Sequence, residues 1–164
     1  MPISTATQYV WTVYSGYGAF SGSDKTEALP VRCVRGSAAA SHVFVDNGNG
    51  TTTDNTTGLT WQRQDDGNRR TWQAALNYCE NLILGGASDW KVPDVKELQS
   101  IADYTKFSPA IDTTVFPGTL SGYYWSSSSY YGSNTNYAWI VFFDHGLVYY
   151  VYEGYSYYAR CVRP

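Results

Sequence analysis

The chain has 164 residues, 43% of them hydrophobic and 17% aromatic, with a formal net charge of −3. That composition predicts a globular chain with a real core rather than a disordered one. Without a basic footprint it excludes a nucleic-acid partner held mainly through phosphates. The longest apolar run, Ala138 to Phe143, is far too short to span a bilayer, so membrane insertion is not expected.

Residues 1–36 read as part of a repeat. Met1 to Thr5 lacks the charged and apolar regions of a signal peptide, which leaves open a cytosolic chain or one whose leader has been removed. Trp11 to Arg35 aligns without a gap on Trp139 to Arg163: the Trp, a Val two residues on, a Gly seven residues on and the closing Arg-Cys-Val-Arg all coincide. Thr7 and Tyr9 extend the match to Thr135 and Tyr137. The expectation is a tail fragment, a β-hairpin with its closing strand, of a preceding copy of one unit. A lone hairpin is marginal in water, so this fragment must pack on the complete copy or self-associate with a neighbouring molecule.

Residues 37–41 form a small-residue linker, and residues 42–164 the complete domain. His42 to Val45 reads as a strand, Asp46 to Gly50 as hairpin turn chemistry, Thr51 to Asp54 as the return strand and Leu59 to Arg63 as a third. Asp46, Asn47, Asn49, Asp54 and Asn55 are oxygen donors without the spacing of a calcium loop, so turns are expected there and no metal. Trp72, Ala75, Leu76, Cys79, Leu82 and Ile83 recur at helical spacing, which predicts a helix over Thr71 to Leu84, capped by Thr71 and ended by Gly85-Gly86. Trp90 to Val92 is a short strand. Asp94 and Glu97 predict a capping box for a second helix that turns Val95, Leu98, Ile101 and Ala102 inward.

The last third reads as strands only: Tyr123 to Ser126, Tyr137 to Phe143, Leu147 to Tyr152 and Tyr157 to Arg163, with Ser127 to Asn136 a long loop. The fold class is therefore α+β, with two helices and mostly antiparallel strands. Of the three cysteines, Cys79 and Cys161 are the expected pair, with three reduced thiols as the alternative; absent Cys-x-x-Cys spacing and nearby His argue against zinc.

Several motifs in order resemble one family. They are Phe44-Val-Asp-Asn-Gly-Asn-Gly-Thr, Thr53-Asp-Asn-Thr-Thr-Gly-Leu-Thr-Trp-Gln, Trp72 with Cys79, Trp90-Lys-Val-Pro-Asp-Val-Lys-Glu-Leu, Tyr124-Trp-Ser-Ser and Arg160-Cys-Val-Arg. Together they resemble the C-terminal domain of bacterial collagen-like adhesins, a branch of the C-type-lectin-like fold close to the formylglycine-generating-enzyme group. The resemblance implies paired N- and C-terminal strands and a bond from the helix cysteine to the last strand, here Cys79 to Cys161. It also implies a ligand-binding domain at a cell surface, secreted or virion-associated.

The tail composition resembles that of variable proteins of diversity-generating retroelements. Replacing adenines in Asn-type codons cannot yield Lys, Glu, Gln, Met or Trp, and between Ser126 and Tyr152 only Trp139 belongs to that set. Eleven of the sixteen tyrosines lie between Tyr123 and Tyr158, among Ser, Gly and Asn, and no Lys or Arg occurs from Ser108 to Ala159. Antibody paratopes have similar chemistry.

Strand alternation then divides frame from surface. Trp139, Val141, Phe143, Val148 and Tyr150 are expected inward. Tyr130, Tyr131, Asn134, Asn136, Ile140, Phe142, Asp144, His145, Leu147, Tyr149 and Tyr152 are the expected ligand contacts within 123–158. The ligand is a protein or glycan on a surface, and no cofactor is expected. Asp144 and His145 are adjacent and expected to point apart, and no Ser lies in a nucleophile elbow, so catalysis is not expected.

Overall fold

The computed structural model describes residues 9–14, 19–35, 42–132 and 136–164. The chain divides into two compact units, Met1–Ser41 and His42–Pro164. In the first, β1 (Tyr9–Tyr14) and β2 (Ala19–Asp24) form an antiparallel hairpin with Trp11 opposite Gly22. The Asp24 carboxylate closes the next turn by accepting from the Thr26 amide and hydroxyl. Residues 28–35 follow without regular structure. The expected linker, residues 37–41, lies outside the described residues.

In the second unit β3 (Phe44–Asp46), β4 (Thr51–Asp54), β5 (Thr60–Gln62) and β9 (Val162–Arg163) make an antiparallel sheet in the order β3-β4-β5-β9. A second antiparallel sheet contains β6 (Tyr123–Ser129), β7 (Tyr137–Phe142) and β8 (Leu147–Tyr152). Helices α1 (Trp72–Glu80) and α2 (Val95–Ser100) lie between them in sequence. An α+β fold with antiparallel strands is therefore present. The pairing of the domain's ends differs from expectation: β9 pairs with β5, while β3 lies at the far edge of the same sheet.

The oxygen donors of the first hairpin close turns. Asp46 accepts from the Gly48 amide, Asn49 from the Thr51 amide and hydroxyl, and the Asn47 amide group bonds the Thr51 and Thr53 hydroxyls. Helix α1 is shorter than its periodicity. Thr71 takes the cap position but makes no side-chain cap bond; the Trp72 N–H is satisfied instead by the Glu153 carbonyl. The helix ends at Glu80, so Ile83 falls beyond its last turn and is 79% exposed rather than inward. Helix α2 carries the full capping box, with Asp94 accepting from the Lys96 and Glu97 amides and Glu97 accepting from the Asp94 amide.

The expected closing strand, Tyr157 to Arg163, is broken because it crosses from one sheet to the other and no single strand accompanies it. Tyr158 bridges Tyr124 in parallel, and Val162 pairs with Trp61 and bridges Lys91. The crossing is fastened twice. Cys161 is bonded to Cys79 at 2.03 Å, both fully buried, and the bond closes a loop with a sequence separation of 82. Chain-entropy models value such a closure at about 4.5 kcal/mol.

Beside it the wholly buried Arg160 guanidinium donates to the Gln62 and Arg63 carbonyls (2.9 and 2.6 Å), Asp65 Oδ2 (2.7 Å) and Thr119 Oγ1 (2.7 Å). Tyr124 donates its hydroxyl to the same Asp65 oxygen at 3.0 Å. Burial first, and then the neighbouring Asp65 charge, push the Tyr124 phenol well above its ordinary value. A buried charge left alone costs far more than a missing pair. Arg160→Met is therefore expected to lose about 3–5 kcal/mol in urea unfolding, and adding Asp65→Leu to recover part of that loss. A double variant less stable than the single one would contradict this account.

A second buried carboxylate sets an acid limit. Asp54 is fully buried with His42 Nδ1 2.5 Å from its Oδ2. Burial pushes its pKa up, but hydrogen bonds from Thr57, His42 and Thr56 outweigh that and hold it below 3.8. A depressed folded pKa gives stability that is complete above the unfolded value of about 3.9 and is lost as pH falls through the folded one. Asp66, Asp103 and Asp112 are shifted the same way. Asp54→Asn should therefore lower Tm at neutral pH and shallow, not abolish, the fall of Tm between about pH 5 and pH 2.

Candidate recognition surface

The register of the three-stranded sheet decides which side chains share a face. Tyr123 is opposite Phe142, Trp125 opposite Ile140, Ile140 opposite Tyr149 and Phe142 opposite Leu147. These, with Ala138 and Val151, point to one side. Tyr124, Val141, Val148, Trp139, Tyr150, Tyr137 and Tyr152 point to the other.

Both sides carry core, which one-sided alternation does not anticipate. On the first, Trp125, Ala138 and Ile140 pack with Ala75 and Cys79 of α1, Trp90, Val92 and the disulfide. On the second, Tyr124, Val141, Phe143 and Val148 are buried. Ile140, expected as a ligand contact, is 0% exposed and cannot reach one. Conversely Trp139 and Tyr150, expected inward, are half-buried and 39% exposed. Each face is covered only in part, so residues of one strand fall inside or outside according to position along the sheet.

What the helices leave uncovered is aromatic. Tyr130 stacks on Tyr150 at 4.1 Å and 11°, and Trp139 stands edge-on to both at 5.6 Å. Tyr137 contacts Tyr150 and Tyr152 at 6.1 and 6.0 Å, and Tyr152 contacts Tyr155 at 5.8 Å. From Tyr155 the contacts pass to Tyr157 (6.2 Å), Tyr123 (5.0 Å), Phe142 (4.3 Å) and the His145 ring (5.9 Å). The rings therefore form one continuous belt that runs round the turn after β8 and joins the two faces.

The expected contacts distribute along this belt. Tyr130 and Tyr152 lie on one face, Phe142, Leu147 and Tyr149 on the other, with Tyr149 and Tyr152 40% and 45% exposed. Tyr131 is fully exposed beyond Tyr130, and Asn136 is exposed while its carbonyl accepts from Glu153. Asn134 lies outside the described residues. Sequence reasoning missed the residues that connect the faces: Tyr155, a turn residue with no strand phase, and Tyr157, read as part of the closing strand. It put Trp139 and Tyr150 on the right face, with Val141 and Val148, but expected them to be covered there, for want of knowing how far along that face the cover reaches.

Asp144 and His145 do not point apart: the imidazole Nδ1 lies 2.7 Å from Asp144 Oδ2. The other Asp144 oxygen accepts from Ser108 Oγ, and the Ser108 amide donates to the Asp144 carbonyl at 2.9 Å. The serine therefore meets the carboxylate rather than the imidazole, which is not the order of a nucleophilic relay. The carboxylate instead ties the 108 segment to the turn after β7.

The belt is also electrically plain. Arg69 lies over Tyr158 at 5.1 Å, Arg70 over Tyr78 at 3.9 Å while paired with Asp66, and Arg160 is buried. Burial, reinforced by Tyr123, raises the phenol pKa of Tyr149, and burial with Tyr123 and Tyr155 raises that of Tyr157. Both remain neutral hydrogen-bonding groups around neutral pH.

A family model, the Lcl C-terminal domain, matches residues 50–163. The chain belongs to the Lcl C-terminal domain family. The match takes in α1, the disulfide, the Arg160 site and the whole aromatic belt, and leaves out the first unit. No curated protein matches the chain. For this Lcl C-terminal domain the expected pairing of Cys79 with Cys161 holds. Among the described residues no helix is long and apolar enough to cross a membrane, and no cluster of His, Cys, Asp and Glu is arranged to hold a metal.

The corrected faces can be separated by stability alone. Ile140→Ala should cost about 2–5 kcal/mol, as a cavity in a close-packed core does. Tyr149→Ser and Tyr152→Ser should each cost less than about 1.5 kcal/mol, the scale of a ring contact. Equal losses at the three positions in chemical denaturation would mean that the face assignment is wrong.

Proposed function

We propose that this Lcl C-terminal domain is a non-enzymatic recognition module of a cell surface, secreted protein or virion, and that the aromatic belt is its contact surface. The observation that carries this reading is the belt itself, in which Tyr150, Tyr152 and Tyr155 are all at least 39% exposed, with Tyr131 and Tyr149 exposed outside the chain of ring contacts. Large contiguous apolar patches on a protein surface mark interaction sites. Tyrosine supplies large contact area and a polar tip at low entropic cost, which suits binding.

The ligand is a protein or a glycan. The absence of Lys and Arg from Ser108 to Ala159 disfavours strongly anionic polysaccharides on this face and favours ring stacking on uncharged groups. An adhesin domain for neutral glycans is therefore the second reading, and the family membership favours it. A structural repeat of a surface fibre, with the rings as subunit contacts, is the third. In its finer form the first reading makes the belt a diversified surface, written by a retroelement into a fixed frame. Its test is a neighbouring reverse-transcriptase gene with a template repeat that differs at adenines in codons for belt residues.

The binding test uses a panel of neutral and sulfated glycans together with surface proteins displayed on cells. Where the native domain binds, Tyr150→Ser with Tyr152→Ser should weaken binding at least about tenfold, on the scale of aromatic interface anchors. Tm should stay within a few degrees. Undiminished binding by that variant would remove the belt from the interface, and concentration-dependent assembly that shields the tyrosines would favour the fibre.

A further inference from the structure

The first unit repeats the closing ribbon of the second. Trp11 falls on Trp139 at an offset of 128 (139 − 11), and at that offset the strands coincide end to end: Tyr9–Tyr14 with Tyr137–Phe142 and Ala19–Asp24 with Leu147–Tyr152. The pairing register is the same, Tyr9 opposite Asp24 and Tyr137 opposite Tyr152. Arg32-Cys33-Val34-Arg35 then coincides with Arg160-Cys161-Val162-Arg163. In the second unit Arg160, Cys161 and Val162 are all 0% exposed, held by Asp65, by Cys79 and by pairing with Trp61. In the first, Cys33 is an exposed free thiol and Val34 is 96% exposed.

We propose that residues 9–35 are a complete closing ribbon for another front half of the same fold, supplied by a polypeptide segment outside residues 42–164. That segment has three features: an edge strand in the place of β5, a buried acidic residue in the place of Asp65 for Arg32, and a helix cysteine in the place of Cys79 for Cys33. Closure oxidises the two thiols to a disulfide with transfer of two electrons and two protons to a disulfide oxidant such as oxidised glutathione.

The seat is not the one in residues 42–122. That seat holds its own ribbon, and the copy is a poor replacement there: Thr12 stands for the buried Ile140, Ser15 for the buried Phe143, and Pro30 for Tyr158, whose N–H donates to Tyr123. The cognate half therefore differs where it meets these positions.

The test joins residues 42–128 directly ahead of Met1 of the full chain, so that the ribbon follows a front half at the natural offset. A parallel fusion carries Thr12→Ile, Ser15→Phe and Pro30→Tyr, which restores the two core side chains and the backbone N–H that this front half accommodates. Both are oxidised in a glutathione buffer, and thiols are counted and mapped. The native chain should show one reactive thiol, Cys33. A fusion should show none, with Cys33 bonded to the added helix cysteine and Cys79 still bonded to Cys161. A bond in the restored fusion alone also supports the proposal and shows that the cognate half differs opposite Thr12, Ser15 and Pro30. Two reactive thiols in both fusions, or Cys33 bonded anywhere else, would overturn it.

Discussion

The crossing of residues 157–163 from one sheet to the other is the constraint on which this domain depends. Without it the four-stranded sheet and the belt-bearing sheet would share only loops and helices. Arg160 makes the crossing specific. A guanidinium with no solvent exposure needs partners in fixed directions, and here two carbonyls, a hydroxyl and a carboxylate provide them. Because Tyr124 bonds the same carboxylate, the closing segment and β6 are positioned by one charge. The disulfide adds connectivity, and the ion pair sets the register.

That arrangement bears on recognition through rigidity. A flexible loop that orders on binding loses side-chain and backbone freedom at that moment. Here β6, β7 and β8 are clamped by α1 on one face, and their other face is buried at Tyr124, Val141, Phe143 and Val148. The exposed rings stand on this fixed base and support one another, Tyr130 on Tyr150 and Tyr123 on Phe142. Much of the ordering cost is met on folding rather than on binding.

Local chemistry was legible in the sequence and coverage was not. Asp94 with Glu97 encodes a capping box by spacing alone, and the box is present. Thr51 to Asp54 and Leu147 to Tyr152 were readable as strands from β-rich runs between turn residues, and both have those ends. Thr71 shows the limit of local reasoning, since a distant carbonyl at Glu153 satisfies the helix start that its hydroxyl was expected to cap. Ile140 shows a different limit. Period-two alternation tells which residues share a face, but which face is covered, and how far along, depends on where α1 and α2 come to rest. A sheet buried in part on both sides carries no single inward phase to read.

The repeat within the chain offers an internal control on the division between frame and surface. Positions that recur between the two ribbons include Val141, Arg160, Cys161 and Val162, all fully buried, and Gly146, whose φ of +74° and approach to the Tyr104 ring leave little room for a side chain. Tyr137 and Trp139 recur too, and they are the half-buried root from which the belt rises. By contrast every position from Leu147 to Ala159 differs from its counterpart in Ala19 to Val31. The exposed tyrosines of β8 and the turn that follows fall in that interval. Physical constraint is strongest at the ends of the ribbon, where charge, disulfide and turn geometry admit few residues. It is weaker at the exposed positions between them, Tyr149, Tyr150, Tyr152 and Tyr155, whose rings fill no core site.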